Sequence, residues 1–109
     1  MAYNTALAGR IRQELANTPG ITEKAMFGGL SFLLNGNMAC GVIGDDLVVR
    51  SGLERNEEAL QRPHAREFDF SGRAMKGWVF VAPEGCQSDA ELAGWIQMGV
   101  ETASSMPPK

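Results

Sequence analysis

The sequence is poor in the residues that most chemistry needs. It has one histidine, His64, and two cysteines, Cys40 and Cys86, with no C-x-x-C pair. A zinc site takes about four Cys, His or carboxylate ligands at suitable spacing, and this chain does not supply them. The cysteines therefore read as free thiols that act as small apolar residues. No stretch approaches the ~18 consecutive apolar residues of a membrane span. The N-terminus, "MAYNTALAGRIRQELA", places its first cation at Arg10 and lacks a basic region followed by an apolar core, so it does not read as a secretory signal. The expectation that follows is a cytoplasmic protein with no membrane association.

Positive charge is also scarce. Ten Lys and Arg stand against thirteen Asp and Glu, for a formal net charge of −3. Nucleic-acid-binding domains usually carry a basic surface, because phosphate neutralisation supplies much of their affinity. Cations are enriched only between Arg50 and Lys76. Within that stretch Arg62, His64, Arg66, Arg73 and Lys76 form the one segment suited to an anionic partner. A solvated surface of mixed charge is the plainer account of the same residues, and specific nucleic-acid binding is not expected.

The 109 residues fit one domain, with 44% hydrophobic content and 21% charge. Tyr3, Leu7, Ile11 and Leu15 recur every four residues and predict a helix that "NTPG" (17–20) ends. A second helix is predicted from Ser51, where Ser51 and Glu54 fit an S-x-x-E capping box, with Leu53 and Leu60 as its apolar edge and Arg62-Pro63 as its end. Ser88 and Glu91 repeat the box before a third helix with Leu92, Trp95, Ile96, Gly99 and Val100 on its apolar face.

Strand signals lie between the helices. In "GLSFLLNGNMACGVI", Asn35-Gly36 is a strong signal for a hairpin with a type I′ turn. That turn pairs Leu34 with Asn37, Phe32 with Ala39, Leu30 with Gly41 and Gly28 with Ile43. "LVVR" (47–50), "EFDF" (67–70) and "GWVFVA" (77–82) supply further strands. Trp78 and Trp95 read as core rather than as a stacking platform. The expected fold class is α+β: two layers, an antiparallel five-stranded sheet with helices packed on it, in the order α-β-β-β-α-β-β-α.

Glycine-rich "MFGG" (26–29) is not a phosphate loop. It lacks G-x-x-x-x-G-K-[ST], and a strand rather than a helix N-terminus follows it. A bulge or a close backbone approach at Gly28-Gly29 is expected instead. No Ser/His/Asp order suggests a triad, and His64 follows a helix stop beside Pro63. Asp45-Asp46 and Glu57-Glu58 are adjacent pairs that do not share a helix face. Lys76 reads as a loop cation rather than an activated amine. No catalytic residue, metal or cofactor is assigned.

"KAMFGGLSFLLNGNMACGVIGDDLVVR" with "GRAMKGWVFVAPEGCQSDAELAGWI" resembles the TfoX (Sxy) N-terminal domain family, regulators of bacterial competence. Met26, Phe27, Gly28, Gly29, Asn35, Gly36 and the strand after Lys76 carry the resemblance, which runs from the first helix to about Thr102. It implies a two-layer α+β domain over 1–103 with a flexible tail over 104–109. The family's full-length regulators carry a second, helical domain that does not follow within these residues, so the likeness is to the stand-alone, single-domain branch. It implies a non-enzymatic regulatory or protein-interaction module. The alternatives are a weak nucleic-acid or nucleotide binder acting through the 62–76 cations, and a small-molecule enzyme of unrecognised type. A homodimer is expected as well. The sheet face opposite Phe32 and Leu34 would expose Phe27, Leu33, Met38, Cys40 and Val42, more apolar surface than a soluble monomer usually shows.

Overall fold

Half of the four-residue stripe folds as its spacing predicts: Leu7 and Ile11 lie in the first helix, whereas Tyr3 precedes it in a bridge to Gly44 and Leu15 is its C-cap. A computed structural model describes residues 3–26, 28–70 and 73–108, and α1 spans Thr5–Glu14. Asn4 caps it, its side chain accepting from the Leu7 N–H, and Leu7 and Ile11 are buried. The chain continues through β1 (Ile21–Met26), β2 (Gly29–Leu34), β3 (Asn37–Ile43), β4 (Asp46–Arg50), α2 (Asn56–Gln61), β5 (Ala65–Phe70) and β6 (Arg73–Val81). A 3-10 turn (Pro83–Cys86) leads into α3 (Asp89–Ser104). The α+β class, the antiparallel sheet and three α-helices stand as expected. No helix among the described residues is long and apolar enough to cross a membrane.

The strand count differs. The sheet has six strands rather than five, in the spatial order β1-β2-β3-β4-β6-β5, and the chain order is α-β-β-β-β-α-β-β-α. The additional strand is β1, "ITEKAM". Thr22 through Ala25 are exposed and only Ile21 is partly buried, so the strand has no inward–outward alternation to read. An edge strand needs none. Its backbone pairs with β2, and Arg12 of α1 grips Glu23 at 2.6 Å. Phe27 lies outside the described residues, as do the side chains of Met26 and Arg73.

The β2–β3 hairpin turns at Asn35 and Gly36, both with positive φ (51° and 87°), as a type I′ turn requires. Leu34 pairs with Asn37 as expected. Beyond it the register shifts, so that Phe32 faces Cys40 and Leu30 faces Val42 rather than Ala39 and Gly41. A bulge absorbs one extra residue on β3. Side chains alternate by two, so this one-residue shift moves Cys40 and Val42 onto the face of Phe32. There they join Leu47, Val49, Val79 and Val81 under the helices' Ile11, Leu92, Trp95 and Ile96.

The opposite face is consequently less apolar than the unbulged register implies. Its cluster is Met38, Val48, Phe68 and Phe80, with Leu33, Ile43 and Trp78 partly buried against it. Met38 is only 8% exposed within the single chain. The Phe68 and Phe80 ring centroids lie 4.8 Å apart, and the guanidinium of Arg66 sits 4.7 Å over Phe80.

Close backbone approaches fix how the layers meet. A Cβ on Gly29 would strike the Val42 carbonyl oxygen, which explains the second glycine of "MFGG". A Cβ on Gly99 of α3 would strike the carbonyl oxygen of Ala39, the small residue next to the register shift. The capping box at Ser88 is present: the Glu91 N–H donates to Ser88 Oγ at 3.1 Å and the Ser88 N–H to Glu91 Oε1 at 3.2 Å. Cys40 and Cys86 are buried free thiols, and burial pushes the Cys40 pKa up to about 12.

Two glycines of α3 should respond oppositely to alanine. Gly99→Ala should destabilise the fold by about 1–3 kcal/mol, because the methyl meets backbone that cannot step aside. Gly94→Ala, with nothing within 4 Å of its added Cβ, should be neutral or stabilising by up to about 1 kcal/mol through helix propensity. Thermal melts decide it. An unchanged Gly99→Ala midpoint would mean that α3 does not rest on Ala39.

Candidate functional site: a cleft beside an exposed leucine

At the end of β4 the chain meets Ser51, which is 1% exposed. A buried hydroxyl must find partners. Ser51 Oγ donates to the Gly52 carbonyl at 3.1 Å and accepts from Asn56 Nδ2 at 3.2 Å. Its own carbonyl accepts from Thr102 Oγ1 of α3 at 3.2 Å. Ser51 is therefore a junction between β4, α2 and α3, and not the helix cap expected from S-x-x-E. The helix begins five residues later, with Arg55 at its N-cap and no side-chain capping bond. The side chain that local sequence assigned to the cap is taken by the Gly52 carbonyl and the Asn56 amide, and the carbonyl of Ser51 by Thr102.

This delay leaves residues 51–55 as a loop. The Gly52 N–H donates to the Gly77 carbonyl at 3.1 Å, which ties the loop to the start of the β6 ladder. Arg55 reaches α3 and pairs with Glu101 at 2.9 Å. The Arg55 guanidinium, followed by the Gln97 amide, holds the Glu101 carboxyl below the usual carboxylate range, so the pair stays charged at neutral pH. Leu53, expected on the apolar edge of a helix, stands in solvent instead. It is 75% exposed, the one large hydrophobic side chain so exposed among the described residues.

Loop, α3 and β6 together enclose a cleft of about 660 Å³. Trp78 and Met106 give it apolar walls, with Leu53 at its lip, and Arg50, Arg55 and Lys76 outnumber Glu54 and Glu101. Arg50 lies directly opposite Trp78 across the β4–β6 ladder, its guanidinium 4.9 Å from the ring centroid. It also donates to the Met38 carbonyl at 3.4 Å, and partial burial lowers its pKa from the usual arginine value. Arg50 is thus held in place, whereas Lys76 is exposed and makes no ion pair among the described residues.

The cations singled out from sequence do not converge. Arg62 stacks on Trp95 at 5.0 Å and approaches Glu58 at 3.8 Å; with His64 and Glu91 it borders a smaller hollow of about 240 Å³. Arg66 lies with Phe80 on the helix-free face and pairs with Asp46 at 2.6 Å. Lys76 belongs to the larger cleft. The structure joins Arg62 to His64 and separates Arg66 and Lys76 from both. Trp95 is buried and donates to the Gly85 carbonyl at 3.2 Å, while Trp78 is only partly covered. No group of three or more His, Cys, Asp or Glu among the described residues could hold a metal ion.

Sequence reasoning missed Arg50, Arg55 and the exposed Leu53. Leu53 beside Gly52 carried a usable signal, an apolar residue next to a loop-forming glycine. The S-x-x-E match outweighed it.

Among curated proteins, none matches the chain. The family model described as TfoX N-terminal domain matches residues 13–103, which include all six strands, α2 and α3 up to Ala103. The chain belongs to the TfoX N-terminal domain family.

Proposed function

We propose that this protein is a non-enzymatic regulatory module that acts by protein contact, and that the Leu53 cleft is its contact surface. The observation that carries this reading is the placement of the exposed Leu53 on the lip of a cleft with both apolar walls and cations. One exposed leucine is ordinary by itself; set on the lip of a concavity with apolar walls and a few charged groups it lies where a binding site is expected. The cleft suits an apolar side chain that is followed or preceded by an acid. Trp78 and Met106 would take the first, and Lys76 and Arg50 would face the second. Membership of a family of competence regulators supports a regulatory role. The groups most often used as nucleophiles support a non-catalytic one, since Cys40 and Cys86 are buried with thiol pKa values raised by desolvation.

Random-peptide selection on the immobilised protein tests the reading. Enriched sequences should join a large apolar residue to an adjacent Asp or Glu. Leu53→Asp should weaken them about tenfold or more, in line with about 1.5–3 kcal/mol for burying one large apolar side chain. No enrichment, or equal enrichment on the variant, would contradict it.

The dispersal of Arg62, Arg66 and Lys76 gives a second expectation. With a net charge of −3 and no continuous basic surface, affinity for duplex or single-stranded nucleic acid should be no tighter than micromolar at physiological salt. Fluorescence anisotropy measures this. Nanomolar, sequence-selective binding would restore the 62–76 cations as a site.

A further inference from the structure

The lip of the cleft carries more than Leu53. Glu54 follows it on the same loop, and Lys76 faces the loop from β6; both line the cleft. Neither makes an ion pair among the described residues, unlike Arg55, Glu101, Arg66 and Asp46, which are already matched. One patch therefore presents a projecting apolar side chain, a hollow with apolar walls, a free acid and a free base. Under a two-fold axis each element of such a patch meets its complement on the other copy, which is the condition an isologous interface sets.

We propose that the occupant of the cleft is a second copy of this chain. Leu53 of each protomer enters the partner's cleft, and Glu54 of each meets the partner's Lys76. This rests on the reading of the cleft as a protein-contact surface and names its partner.

Other routes to self-association are less favourable. Strand β1 has a free edge, but a two-fold pairing of antiparallel strands places a residue opposite its own copy. Centring on Lys24 opposes two lysines and centring on Glu23 opposes two glutamates, both destabilising, and centring on Thr22 or Ala25 avoids this but brings no opposite charges together. The helix-free sheet face already covers Met38 and Phe80 within one chain, and Arg66 lies over its Phe80 ring.

Sedimentation of the full chain over a dilution series tests the proposal. The expected result is a dimer of twice the 11.7 kDa chain mass that dissociates on dilution. Leu53→Asp, at a position too exposed to threaten folding, should leave a monomer with an unchanged thermal midpoint. Glu54→Lys and Lys76→Glu should each weaken the dimer about tenfold, since a reversal acts at both symmetry-related contacts and turns attraction into repulsion. The double reversal should restore it. A chain that stays monomeric throughout overturns the proposal; if selected peptides still bind and depend on Leu53, the contact surface itself survives and its partner is a different protein. A dimer indifferent to Leu53→Asp and to both reversals also overturns it, by placing the interface elsewhere.

Discussion

The seating of α3 on β3 is the contact on which the rest of the structure depends. Gly99 lets the helix approach until only hydrogen atoms separate it from the Ala39 carbonyl. The register shift beside Ala39 presents a small residue there and keeps Phe32, Cys40 and Val42 facing the helices. One turn beyond Gly99, Thr102 reaches the Ser51 carbonyl and Glu101 reaches Arg55. If the helix stood farther out, those two bonds would be lost, and with them the fixed position of the loop that carries Leu53. Packing in the core thus sets the geometry of the surface cleft.

Local signals in the sequence were informative where backbone chemistry decides the outcome. Asn35-Gly36 formed its turn because two successive positive φ values demand such residues. Ser88 and Glu91 formed their capping box because each could reach the other's N–H without competition. The same pattern failed at Ser51. There the Gly52 carbonyl and the Asn56 amide hold the buried hydroxyl and Thr102 of α3 holds the serine's carbonyl, and both Asn56 and Thr102 fall outside a window of four residues. Strand β1 was missed for a related reason. Its stability comes from pairing with β2 and from Arg12, not from burying alternate side chains, so "ITEKAM" has no periodicity to detect.

The candidate site was the least legible part. Proximity in sequence drew Arg62, His64, Arg66, Arg73 and Lys76 together. The helix and the strands that carry them place Arg62 against Trp95 and Arg66 on the helix-free face with Phe80. Of those whose side chains are described, only Lys76 reaches the cleft. Its companions there, Arg50 and Arg55, come from positions that looked like an ordinary strand end and helix start. Charge on this molecule is organised by short ion pairs more than by broad fields. Among the described residues Arg10–Asp89, Arg12–Glu23, Arg55–Glu101, Arg62–Glu58 and Arg66–Asp46 pair five of the ten Lys and Arg, and pairs this exposed contribute little to stability. Glu54 and Lys76 are among the charges that no ion pair matches within the described residues, and they flank the one exposed large hydrophobic side chain described.

The central claim is that the surface around Leu53, formed by the docking of α3, is where this molecule meets another protein chain. Amide chemical shifts of the isotopically labelled protein, followed through a dilution series, test it residue by residue. The account predicts concentration-dependent shifts confined to Gly52, Leu53, Glu54, Lys76, Gly77 and the end of α3 near Thr102, with the rest of the spectrum constant. Shifts centred instead on Leu33 and Ile43 of the helix-free sheet face, or on Thr22 to Ala25 of the β1 edge, would contradict it.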